Sequence, residues 1–92
     1  METDFEWDEN KGESNFQKHG VRFEEATTVF ADPDLVTLFD TKHSADEERY
    51  INIGFSNRGR LLVVVHTMRS SQIRIISSRP CTFREARLYD EG

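Results

Sequence analysis

One cysteine, Cys81, occurs in the 92-residue chain. It excludes an internal disulfide and a zinc site built on paired cysteines, and it fits a reducing compartment. Long apolar runs are also missing. The longest, Leu61-Leu62-Val63-Val64-Val65, falls far short of the roughly 20 residues that cross a bilayer. The opening Met1-Glu2-Thr3-Asp4 is acidic and lacks the apolar centre of a secretory leader. A cytoplasmic protein with no membrane contact is expected. Neither of the glycine-rich loops that cradle nucleotide phosphates is present. The three histidines, His19, His43 and His66, have no paired-ligand spacing, so no metal site and no cofactor are expected.

What is there fits one small domain over residues 1–92. Apolar residues make up 36% of the chain, which gives a thin core. Seven Phe, two Tyr and one Trp argue against disorder, because disordered chains are poor in aromatics. The net charge of -5 hides a division: residues 1–48 hold four basic side chains against 14 acidic ones, and residues 49–92 hold eight arginines against three acids. Such asymmetry points to a cationic surface for an anionic partner, or to a solvated sheet face.

A short strand over Phe5-Glu6-Trp7 is followed by Asp8, an N-cap for a helix over about 9–19 that Gly20 ends. Phe23, Ala26, Thr27, Val29 and Phe30 fall at helical spacing, predicting a second helix over about 22–30 that Asp32-Pro33 stops. Strands follow at Leu35–Phe39, Arg49–Phe55, Arg60–Thr67 and Gln72–Ser78, with Pro80 leaving the sheet. Thr82 and Glu85 form a capping box for a last helix over about 83–91. The expected fold class is α+β: a short N-terminal strand, two helices, an antiparallel meander of three or four strands and a C-terminal helix, with the helices on one face.

Arginine geometry carries the chemistry. A hairpin closed near Asn57-Arg58-Gly59 starts the central strand at Arg60. A second, closed near Ser70-Ser71, sets residue 79 opposite residue 61 or 62. Arg58, Arg60 and Arg79 are therefore expected to converge at one end of the sheet. Arg49, His66 and Arg69 should gather at the other, roughly 15–20 Å away at about 3.3 Å per residue. Either cluster can grip phosphates through forked hydrogen bonds, or pair with the acidic N-terminal half. Cys81 has no evident base partner in sequence and reads as a small half-buried side chain.

The run Phe5-Glu6-Trp7-Asp8-Glu9-Asn10-Lys11, with Asn15, Lys18-His19-Gly20-Val21-Arg22-Phe23-Glu24-Glu25-Ala26, Val29-Phe30 and Asp32-Pro33, resembles the BrnT family of bacterial toxins. So do Glu48-Arg49-Tyr50, Ile53-Gly54, Leu61-Leu62-Val63-Val64-Val65-His66-Thr67 and Ile73-Arg74-Ile75-Ile76-Ser77 ending at Arg79. Ser78 and Cys81 stand where the family usually has alanines. The resemblance implies a RelE-like fold, ribonuclease activity that halts translation, and neutralisation by a BrnA-like ribbon-helix-helix antitoxin, with DNA contacted only through that complex. It points to Lys18, His19, Arg60 and Arg79, with Glu85 and Tyr89 in the last helix. Arg60, Arg79, His19, Lys18 and Glu85 are the expected catalytic residues; Tyr89, and from the hairpin register Arg58, Arg49 and Arg69, are the expected RNA contacts.

Such residues can cleave RNA without a metal by attack of a ribose 2′-OH on the adjacent phosphate. Arginine keeps its proton at neutral pH, so Arg60 and Arg79 would clamp the phosphate and stabilise the transition state. Proton transfer falls to His19 by type, with Glu85 or Tyr89 as alternatives. Two of these have plainer readings, Lys18-His19 as a helix C-cap and Glu85 as the capping-box residue; Tyr50, opposite His66 in the register, reads as sheet packing. The whole chain has one too, a catalytically inactive RelE-like module that serves as the antitoxin's partner in a repressor complex.

Overall fold

The computed structural model describes residues 4–92; the leader reading at Met1–Thr3 lies outside them. The chain runs β1 (Phe5–Glu6), α1 (Glu9–His19), α2 (Phe23–Thr27), a 3-10 turn (Thr28–Ala31), β2 (Val36–Phe39), β3 (Arg49–Phe55), β4 (Leu61–Arg69), β5 (Gln72–Pro80) and α3 (Phe83–Glu91). Asp8 caps α1 by accepting from the Lys11 amide at 3.0 Å, and Gly20 ends it at φ 71°. The second helix is shorter than the spacing predicts. The Thr27 and Thr28 hydroxyls donate to the Glu24 and Glu25 carbonyls, and this back-bonding accompanies the change to a tighter 3-10 turn.

The strands form one sheet in the order β1-β5-β4-β3-β2. β2 to β5 are the antiparallel meander, and β1 adds a parallel edge beside β5. β5 runs on through Pro80, two residues beyond the expected end. On one face, α1, α2 and the 3-10 turn cover a core of Val21, Phe23, Ala26, Val29, Leu62, Val64 and Ile75. Asn15 locks α1 onto this face, donating to the Val21 and Ser78 carbonyls at 2.9 and 2.8 Å and accepting from the Ser78 amide at 3.1 Å.

The C-terminal helix does not share that face. Val36, Ile53, Val63 and Arg79 lie in one cross-strand row, so they project to the side opposite Leu62 and Val64. α3 meets this second side: Glu85 binds Arg79, and Tyr89 packs edge-on against Phe55 with ring centroids 5.3 Å apart. The expectation of all helices on one face is therefore corrected. Both faces of the sheet are partly covered, and between α3 and the 40–48 loop a stretch of the second face stays open.

Candidate functional site

A β-bulge decides which arginines meet. An unbroken β4–β5 ladder from Arg69↔Gln72 would set Arg79 opposite Leu62, on the face of Arg60. The ladder shifts between Val65 and His66, and Arg79 instead pairs with Val63. One residue of slip turns every later side chain to the other face. Arg60 and Arg79 thus flank the same sheet end on opposite faces, and their expected convergence is overturned. Nor does His66 join Arg49 and Arg69 on one surface: it is buried on the α1–α2 side, against Tyr50 and Phe30.

On the helical face, Arg60 donates from Nε to Glu25 at 3.0 Å and from Nη2 to the Gly20 carbonyl at 3.1 Å. This brings it beside Lys18-His19, at the end of α1. Glu25 is buried. The Arg60 hydrogen bond holds its carboxyl below the usual range against the opposing effect of burial, with help from Ser56 and from the Arg60 and Arg58 charges.

The second face carries a groove of about 320 Å³. Its floor is apolar, from Ile51, Val63 and Val65; its polar groups are Arg49, Arg79, Glu85, His43, Asp40 and Ser77. Arg79 donates from Nη1 and Nη2 to the two Glu85 oxygens at 2.7 Å each, a forked pair. Glu85 also accepts from the Thr82 amide at 2.8 Å, while its own amide donates to the Thr82 hydroxyl at 3.3 Å, which is the expected capping box. The Arg79 hydrogen bonds, outweighing burial, hold the Glu85 carboxyl down to about 2. A carboxylate that acidic accepts protons poorly. Arg49 lies 3.9 Å from Glu47, which also reaches Arg69 at 3.6 Å, and its Nε is buried with no partner among the described residues.

Sequence reasoning did not place His43 in this site. The His43 ring nitrogen Nδ1 sits 2.9 Å from Asp40 Oδ2, so Nε2 is the nitrogen left for other partners. Burial pushes the Asp40 carboxyl up, yet the hydrogen bond and charge of His43 and the His43 and Lys42 amides bring it below the usual range. The only sequence signal was position, in a polar loop that precedes a strand starting with arginine. Tyr89 stands apart from the groove's lining: its hydroxyl donates to Asp32 at 2.7 Å, which pushes its pKa up to about 12.

A forked cation and a carboxylate-held imidazole beside a shallow open groove suit recognition and transfer at a phosphodiester. The family described as "Ribonuclease toxin, BrnT, of type II toxin-antitoxin system" has a model that matches residues 7–85. The 1.1 Å crystal structure of the Brucella abortus ribonuclease toxin BrnT is similar over 88% of this chain and 99% of that one, with a TM-score of 0.68 and 24% identity. No curated protein matches. At that identity the structural likeness speaks for the fold, and the family match, from Trp7 to Glu85, speaks for membership. The chain belongs to the BrnT family of ribonuclease toxins of type II toxin-antitoxin systems.

Proposed function

We propose that this chain cleaves RNA in the groove of the second face, without a metal ion, and thereby blocks translation until a BrnA-like ribbon-helix-helix antitoxin binds it; DNA is contacted only through that complex. The observation that carries the reading is Arg79, Arg49 and His43 lining one groove. The ribose 2′-OH attacks the adjacent phosphorus as its proton passes to a base. The P–O5′ bond breaks, and the departing 5′-oxygen takes a proton. The products are a 2′,3′-cyclic phosphate and a 5′-OH. Arg79 and Arg49 stabilise the charge that builds on the phosphoryl oxygens. His43, oriented by Asp40, exchanges the proton through Nε2. Glu85 positions Arg79 and is not assigned as the base, because Arg79 binds both of its oxygens and the Thr82 amide one of them.

One observation favours the second reading, a binding module that has lost cleavage: Arg60 and Arg79 both have carboxylate partners within the chain. Against it, the Arg79 side chain keeps 39% of its surface exposed, and Arg49 and His43 line the same groove. The test is cleavage of end-labelled RNA by the purified chain in excess chelator. Fragments ending in a cyclic phosphate are expected. Cleavage that needs an added divalent ion, or fragments with a 5′-phosphate, would contradict the mechanism, and intact RNA would favour the binding module.

A further inference from the structure

The bulge that parts Arg60 from Arg79 leaves a cationic group on each side of one sheet end. The Cys81 amide donates to the Leu61 carbonyl at 3.1 Å, joining the end of β5 to the start of β4. Arg79 lies two residues before Cys81 on the groove side. Arg60 immediately precedes Leu61 and turns to the helical side, onto Glu25 and the Gly20 carbonyl. That carbonyl caps α1 two residues after Lys18, which lies in the helix's last turn. Arg58 is near enough to Glu25 for its charge to lower the carboxyl's pKa. Lys18 and Arg58 are exposed, and among the described residues neither enters an ion pair.

We infer that Lys18, Arg58 and Arg60 form a second phosphate-binding surface, which takes the continuation of a single-stranded RNA after it passes from the groove around the sheet end. The inference rests on the reading that the groove holds RNA. Three cations stand here against one buried carboxylate, Glu25, which is already satisfied by Arg60 and by the Ser56 hydroxyl at 2.7 Å. The protein as a whole carries -5, so a polyanion is repelled by most of the surface and drawn to such a corner. A single strand suits the path because its backbone can turn sharply over an edge, whereas a duplex is stiff over this length. Contacts of this kind read charge and spacing rather than base identity.

The probe is uncleavable 2′-O-methyl RNA, as a trinucleotide and as a twelve-mer, titrated against the full chain, the double variant K18S/R58S and Arg79→Ala. Relative to the unaltered chain, K18S/R58S should weaken the twelve-mer about tenfold more than the trinucleotide. It should also lower the slope of log affinity against log salt by about 1.4 for the twelve-mer, two contacts at about 0.7 each. Equal weakening of both lengths, or no weakening of either, would overturn the inference; the second result would also be seen if this corner served an acidic protein segment instead. Arg79→Ala should weaken both lengths alike. If it changes neither, the groove reading fails and the continuation inferred from it fails too; weakening by Arg79→Ala without a length-dependent K18S/R58S effect overturns the inference alone.

Discussion

Arg60 binds Glu25 through its Nε at 3.0 Å, and with the Ser56 hydroxyl it ties α2 to the turn between β3 and β4. Glu25 is 8% exposed, so its charge depends on that partner. Arg60→Ala leaves a carboxylate stranded out of water, and a loss of about 2 kcal/mol is expected. Urea denaturation should show the midpoint falling, and Glu25→Gln added to Arg60→Ala should recover part of the loss. An unchanged midpoint in Arg60→Ala would show that the pair contributes nothing to stability. Arg60 is thus first a structural residue, and any effect of its removal on cleavage must be read beside this stability change.

In the proposed mechanism His43 carries the proton in the groove, so His43→Gln should lower kcat by about a hundredfold or more. Asp40→Asn should lower the rate less, because the ring then loses only the group that orients it. Single-turnover cleavage by the two variants checks both. An unaltered His43→Gln rate would remove His43 from the mechanism.

The sheet was legible because its signals are local. Alternation marked Arg49–Phe55, Asn57 and Gly59 marked a turn, and Thr82 with Glu85 marked the start of α3. The site was less legible, and one residue explains why. Ile73, Ile75 and Ile76 are all apolar, so nothing in the pattern says which of them is the extra residue of a bulge. Yet the shift beside His66 carries Arg79 to the other face and with it the composition of the groove. The side on which α3 packs was hidden for a related reason: the connection from Pro80 to Thr82 is short enough to turn either way. His43 lay in a loop without periodicity: its pairing with Asp40 is a local i,i+3 contact, but only the fold brings the two to the groove that Arg49 and Arg79 line.

His66 is 7% exposed and accepts at Nδ1 from the Asn52 side-chain amide at 2.6 Å. Its ring stacks on Tyr50, with centroids 5.2 Å apart. Burial lowers its pKa in the folded chain, whereas the unfolded chain titrates near 6.5. Above that pH both states are neutral and His66 adds no pH dependence. As pH falls below about 6.5 the unfolded chain takes the proton first, so stability declines until the folded pKa is reached. Denaturation midpoints at neutral and mildly acidic pH should therefore diverge for the unaltered chain and converge for His66→Gln. The same divergence in both would assign the effect to other groups.

Arg79→Ala is the most direct test, because Arg79 is the groove's forked cation while α3 keeps its start through Thr82 and Glu85. Cleavage of a labelled RNA by the purified chain is measured beside its thermal unfolding. The variant is expected to stay folded and to cleave about a hundredfold more slowly or less. A folded Arg79→Ala protein that cleaves at the unaltered rate would contradict the placement of the reaction in this groove.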